Sequence, residues 1–169
     1  MQDQEQTPAP EIEPPPEPAR SQEQEQERRL VLRVLRRWEE LRGVRSFPVR
    51  EEIGSAVMGN DWPCCLVLDL DSAGGPQFVH VGDALEATAW NPPVRTLSEC
   101  PDGTLLKMAT AFYPRVVDKR IPISIGASGQ HHGRTILFRA ILLPLSHDSV
   151  RIDALLGAAN FREMVGDRT

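Results

Sequence analysis

The feature that most constrains the fold of this 169-residue chain is a segment that is apolar on both faces when it is written as a strand. The segment covers residues 135–145, with the sequence TILFRAILLPL. Successive side chains of a strand alternate between its faces, so one face carries Ile136, Phe138 and Leu142, and the other carries Leu137, Ile141 and Leu143. A sheet built around this strand needs cover on both sides. We therefore predict helices on each face of a central sheet.

The remaining patterns predict four more strands and several helices. Apolar or alternating runs bounded by turn residues place strands at residues 62–70, 77–81, 121–127, 135–145 and 150–159. Helical patterns cover residues 23–42 and 50–57, a turn at 83–88 and a helix that begins near Thr104. The clustered strands and segregated helices predict an α+β fold with a five-stranded antiparallel sheet. Short helices would cover one face, and the N-terminal helix would cover the other.

The first helix is amphipathic, with an apolar stripe and an arginine-rich face. The stripe repeats every three or four residues, at Leu30, Val34, Trp38 and Leu41, and Val31 and Leu35 widen it. Arg33, Arg36 and Arg37 lie on the other side. Gly43 is placed to end the helix.

Charge divides the chain into three unlike blocks, although the net charge is only −5. Residues 1–27 have a net charge of −7 and contain six of the prolines, a composition typical of disorder. Residues 28–50 have a net charge of +6, and residues 51–169 have −4. We predict a disordered tail (1–27), a helix (28–43) and a folded domain (44–165). One hypothesis is that the acidic tail folds back onto the basic helix and screens it.

Several short stretches resemble a PAS-like family common in alphaproteobacteria. They are Trp38-Glu39-x-Leu41-Arg42-Gly43, Pro48-x-Arg50-x-x-Ile53, Leu66-Val67-Leu68-Asp69, Phe78-x-x-x-Gly82, Arg139 to Ser146, and Ile152-Asp153-x-Leu155-Leu156-Gly157. The order of helix, two strands, short helices and three strands is also that of PAS domains. The resemblance spans roughly residues 30–165 and implies a PAS fold with a sensory or regulatory role. It implies no fixed ligand.

A pocket between the sheet and the short helices would hold an apolar or small organic ligand, or be filled as plain core. Its candidate lining residues are Phe78, Trp90, Met108, Phe112, Ile123, Phe138 and Leu156. No resident cofactor is predicted, because residues 82–129, where PAS haem ligands usually lie, contain no histidine. We predict no metal site at His131 and His132, and buried thiols at Cys64, Cys65 and Cys100.

The basic helix has three possible roles: a solvated face, a nucleic-acid contact or a protein-binding surface. No recognition helix follows it and the folded block is acidic, which disfavours nucleic acid. Because N-terminal helices of PAS proteins commonly mediate dimers, the resemblance favours a homodimer through Leu30, Val34, Leu35 and Trp38, flanked by Arg33, Arg36 and Arg37.

We therefore expect a non-enzymatic PAS-like regulatory domain that contacts a separate signalling output protein. The sequence has no apolar run long enough to span a membrane and no signal-peptide pattern, so the expected location is the cytoplasm. Two alternatives remain open. One is a pure interaction or scaffold module without a ligand, and the other is a small ligand-binding enzyme on an α+β sheet, with His80 or Asp118 in a cavity.

Overall fold

The computed structural model describes residues 22–86 and 94–164. The α-helices are α1 (Gln22–Arg42), α2 (Ser55–Met58), α3 (Asp83–Glu86), α4 (Leu105–Thr110) and α5 (Tyr113–Lys119). The strands are β1 (Cys65–Asp69), β2 (Gln77–Val81), β3 (Ile123–His131), β4 (Arg134–Leu145) and β5 (Ala154–Glu163). Three 3-10 segments cover Arg50–Glu52, Gly59–Cys64 and Leu97–Glu99.

The five strands form one antiparallel sheet in the order β2-β1-β5-β4-β3. This confirms the predicted α+β class with a five-stranded antiparallel sheet and short helices. The centre of the sheet packs tightly across three strands, where Leu66, Gly157 and Leu142 lie side by side. A Cβ atom at Gly157 would lie 2.8 Å from the Leu66 side chain, so only glycine fits there.

Both faces of β4 are buried over residues 140–145, as its two-sided apolar pattern predicts, whereas Leu137 is half-buried and Arg139 exposed nearer its start. Ile136 and Leu142 on one face and Ile141 and Leu143 on the other are almost inaccessible to solvent. Helices α1, α4 and α5 all pack against this strand. Within the described ranges, no helix combines the length and the apolar character needed to cross a membrane.

Several element boundaries differ from those predicted. Strand β1 begins at Cys65 and not at residue 62, because residues 59–64 form a 3-10 segment. Strand β3 continues to His131, through residues expected to form a loop, because each of its residues pairs with β4. Helix α1 begins at Gln22, one residue before the helical pattern predicted over residues 23–42, so it overlaps the end of the segment 1–27 that was assigned to the tail.

The turn between β4 and β5 is longer than predicted, so β5 begins at Ala154. Asp148 organises this turn by accepting hydrogen bonds from the backbone N–H groups of Val150 and Arg151, both at 2.9 Å. The Arg151 and Val150 N–H groups lower the pKa of Asp148 to about 2.

Candidate functional site

The apolar stripe of α1 lies in the core of this same chain. Leu30, Val34 and Trp38 are at most 4% exposed, and Leu35 is half-buried against the core. The Trp38 indole Nε1–H also donates a hydrogen bond to the backbone oxygen of Pro144 in β4, at 2.9 Å. A homodimer through this stripe would require these side chains to leave that core, and it stays a prediction.

Two of the arginines on α1 hold the buried carboxylate of Asp61. Arg33 donates through Nε and Nη2 to both carboxylate oxygens, at 2.9 and 2.8 Å. Arg37 donates through Nη1 to Asp61 Oδ2 at 2.7 Å and to the backbone oxygen of Met58 at 2.8 Å. The hydrogen bonds from Arg33 and then Arg37 lower the pKa of Asp61. These contacts fasten α1 to the 3-10 segment before β1, whereas Arg36 is exposed.

Other arginines of residues 28–50 also have acidic partners in the chain. Ion pairs join Arg29 to Glu25, Arg45 to Glu52, and Arg50 to Asp69. Much of the positive charge of this block is therefore matched by nearby carboxylates. The pairing weakens the case for a nucleic-acid surface, and the Arg29–Glu25 pair already joins a residue of the acidic block to the basic helix.

The structure brings some of the predicted pocket residues together. A Cβ atom at Gly129 would overlap the Sδ atom of Met108 and would lie 3.8 Å from the Phe138 ring, so both side chains cover Gly129. Phe112 is buried, and Ile123 is half-buried against the core.

Phe78 and Leu156 are not brought to this position. Phe78 lies in β2, three strands away from β4 in the sheet, and is half-buried against the core. Leu156 pairs with Leu143. Because side chains alternate along β4, Leu143 faces away from Phe138, and so does Leu156. Trp90 lies outside the described residues.

Of the adjacent histidines on the β3–β4 hairpin, His131 binds the backbone at the start of α4. The backbone N–H of Leu105 donates to Nδ1 of His131 at 3.2 Å, which makes the neutral ring with its proton on Nε2 the favoured form. Burial, and then the charge of His132, lower the pKa of His131. Among the described residues, no three His, Cys, Asp or Glu side chains are grouped so that they could hold a metal ion.

All three cysteines are free. Cys65 and Cys100 are buried and Cys64 is partly exposed, so the prediction of buried thiols holds for two of them. Burial raises the pKa of Cys65 to about 12, which suppresses the reactive thiolate.

The Ser146-His147-Asp148 sequence forms a turn, with the histidine directed away from its two neighbours. His147 Nδ1 lies 2.6 Å from Asp153 Oδ2, and its Nε2 lies 2.9 Å from Glu51 Oε1. The hydrogen bonds to Asp153 and then Glu51 raise the pKa of His147. This ring connects the β4–β5 turn to the 3-10 segment that follows α1.

The His147 bridge predicts a pH-dependent contribution to stability. A raised folded-state pKa means that this contribution is complete below the unfolded value of 6.5 and is lost as pH rises through the folded value. We expect the difference in Tm between wild type and His147→Gln to shrink between pH 6 and pH 9. Thermal denaturation at each pH measures it, with Arg36→Gln at an exposed position of α1 as the control. A difference that grows with pH would contradict the assignment.

A groove at one end of the sheet was not predicted from the sequence. We call it the end groove; it has a cavity volume of about 620 Å³. Its residues come from the β1–β2 turn, helix α5 and the β4–β5 turn: Leu70, Asp71, Pro76, Tyr113, Pro114, Val117, Asp118, Arg120, Arg151 and Ile152. Three segments distant in sequence form it, so no single motif signals it.

The end groove has an apolar floor and a charged rim. Tyr113, Val117 and Ile152 contribute to the floor, and Arg151 forms an ion pair with Asp71 at one side. Arg120 also lines the groove, and its guanidinium carbon lies 5.2 Å from the centre of the Phe47 ring.

Large apolar side chains remain exposed next to the residues of the end groove. Ile121 follows Arg120 and is 52% exposed, and Val150 precedes Arg151 and is 68% exposed. A concave apolar floor with exposed aliphatic neighbours is suited to holding a partner's apolar side chain.

Comparison with models of known protein families finds no match for this chain, and comparison with curated protein sequences finds none either. The fold therefore defines the chain as an α+β protein with a five-stranded antiparallel sheet.

Proposed function

We propose that this chain is a non-enzymatic PAS-like regulatory domain that acts by binding a separate signalling protein. The PAS part of the proposal is supported by the order of elements, in which a block of short helices separates two strands from the last three. The residues that resemble the family also fall on these elements: 66–69 lie in β1, and 152–157 lead into β5.

The observation that carries the binding role is the end groove. Tyr113 and Val117 give it an apolar floor, while Ile121 and Val150 are large aliphatic side chains left largely in solvent. Exposed apolar surface beside a concavity is costly to leave uncovered, and it is characteristic of protein contacts.

The charges around α5 indicate the chemistry of the partner. Arg115, Lys119 and Arg120 are exposed on this helix and its C-terminal cap, and Asp118 is the acid among them. The charged residues that line the end groove balance, two arginines against two aspartates, and Arg115 and Lys119 beside it give the surface around α5 a net charge of +2. A partner segment that presents an apolar anchor with adjacent carboxylates would match both the floor and the rim.

The test is capture of the partner from the native host, followed by titration with the purified partner. We expect Ile121→Asp and Val150→Asp each to weaken binding by roughly tenfold or more, because each adds a carboxylate facing the partner's own. Leu32→Asp on α1 is the matched control, since Leu32 is also 51% exposed. Equal binding by all the variants would reject the end groove as the surface, and the absence of any partner would reject the proposed function.

A small-molecule ligand in the end groove is the second candidate function. The volume of about 620 Å³ lies within the range of ligand pockets, and Asp118, Arg120 and Arg151 supply polar groups beside the apolar floor. Native mass spectrometry and a thermal-shift screen of metabolites would test it. A retained ligand that is lost in Val117→Asp, but not in Leu32→Asp, would favour this role.

A further inference from the structure

The two edges of the sheet differ in how they are protected. The order β2-β1-β5-β4-β3 leaves β2 and β3 at the edges. At the β2 edge, the Phe78 N–H donates to the backbone oxygen of Arg95 at 2.7 Å, and Gln77 forms an isolated bridge with Thr96. The β1–β2 pairing is also shifted between Val67 and Leu68. This edge is therefore both covered and irregular.

Strand β3 is long, regular and open. Its nine residues pair with β4 in one unbroken register, from Ile123 with Leu142 to His131 with Arg134. Among the residues that the structure describes, no backbone hydrogen bond of Ile123–His131 is found beyond its own strand pairing. Its outer row of N–H and C=O groups is therefore available to another strand.

The residues of β3 carry none of the usual protection of an edge strand. Natural edges are guarded by lysine or other charges, by proline or by a bulge. Between Ile123 and Gln130, β3 contains no charged residue and no proline. Its exposed residues are small or neutral: Ser124, Gly126, Ala127, Ser128 and Gln130.

We propose that β3 pairs with the β3 strand of a second copy of this chain, forming a two-fold homodimer with a continuous ten-stranded sheet. When identical strands pair antiparallel about a two-fold axis, residues on one side of the axis face their counterparts on the other side. With the axis at Gly126, Ser124 of each copy faces Ser128 of the other, so β3 itself brings no like charges together. The Arg139 side chain of β4 lies beside Gly126 and has to turn away from its counterpart in the second copy. Since the β2 edges are covered, the pairing closes at two copies.

A shallow depression extends the contact beyond the backbone. Gly126 and Ser128 of β3 line it together with half-buried Leu137, and two arginines, Arg139 of β4 and Arg162 of β5, also line it. Its volume is about 370 Å³, and it borders the open edge, so side chains of the second copy could enter it. This dimer leaves α1 in place on its own sheet, in contrast to a dimer through the apolar stripe of that helix.

The experiment compares the mass of the full chain with that of edge variants by light scattering at tens of micromolar concentration. Wild type should have twice the 18.8 kDa mass of one chain. Ser124→Lys combined with Ser128→Lys should weaken the dimer by roughly tenfold or more, because like charges then face each other across the axis. Val79→Lys, on the exposed face of β2, is the matched control and should remain dimeric.

A mixing experiment with variants of opposite charge is the decisive test of the pairing. The variant with Ser124→Glu and Ser128→Glu should be monomeric alone and should form a heterodimer when mixed with the double-lysine variant. Three results would overturn the proposal: a monomeric wild type, a dimer that the lysine pair leaves intact, or a dimer that Val79→Lys weakens equally.

Hydrogen exchange on the wild type covers the case in which the edge variants fail to fold. The β3 amides that do not bond to β4 should become protected as the protein concentration rises. If their exchange is the same at all concentrations, the proposed pairing is wrong.

Discussion

Replacing Trp38 by alanine should lower the free energy of unfolding by about 3–5 kcal/mol, the largest loss expected of any single change considered in this chain. Its ring is 4% exposed in the core, and its Nε1–H is bonded to Pro144. Alanine would leave a cavity beside Val34 and an unpaired carbonyl in β4. A loss of this size is a large fraction of the stability of a typical domain.

Trp38→Phe separates the two contributions, because phenylalanine keeps most of the apolar volume and removes only the donor. Its expected cost is about 1–2 kcal/mol, that of one buried hydrogen bond and a small change in volume. Urea unfolding followed by circular dichroism measures both variants. If Trp38→Ala cost no more than Trp38→Phe, the packing of α1 on the sheet would contribute little.

Asp61→Asn should lower the free energy of unfolding by about 2 kcal/mol, the second-largest expected effect. The carboxylate of Asp61 is buried and accepts three hydrogen bonds from Arg33 and Arg37. Asparagine keeps the size but loses the charge, and its amide group cannot accept at both positions. The partial exposure of both arginines keeps the cost below that of breaking a fully buried ion pair.

Arg36→Gln is the matched control for this cluster, since Arg36 lies on the same helix and is exposed. We expect its effect on the unfolding free energy to lie within about 0.5 kcal/mol of zero. A double-mutant cycle with Asp61→Asn and Arg33→Gln should give a clear coupling energy, because the two side chains share two hydrogen bonds. Strictly additive effects would show that this ion pair does not hold α1 in place.

The fold class was predictable from the sequence because the apolar pattern of one strand shows that both of its faces are buried. The two-sided apolar pattern of residues 135–145 requires cover on both faces, and the strand is found at Arg134–Leu145. The start of β1 was not predictable in the same way. Trp62 and Cys64 continue the apolar run of the strand, but Asp61 is held by arginines from α1, and residues 59–64 form a 3-10 segment.

The candidate surfaces were harder to predict, because they depend on contacts between distant segments. The arginines of residues 28–50 appear in the sequence only as a charge sum, whereas Arg33 meets Asp61 and Arg50 meets Asp69 only after folding. The small polar residues 128–130 have weak strand propensity, and only their pairing with β4 makes them part of an edge strand.

The last strand in chain order, β5, lies at the centre of the sheet, with direct consequences for synthesis on the ribosome. Neither half of the sheet can join the other until β5 has emerged. Trp38 precedes its acceptor Pro144 by 106 residues, so at about 5–20 residues per second the helix waits roughly 5–20 seconds for its partner strand. During that interval, the apolar stripe of α1 is a natural target for chaperones that bind nascent chains.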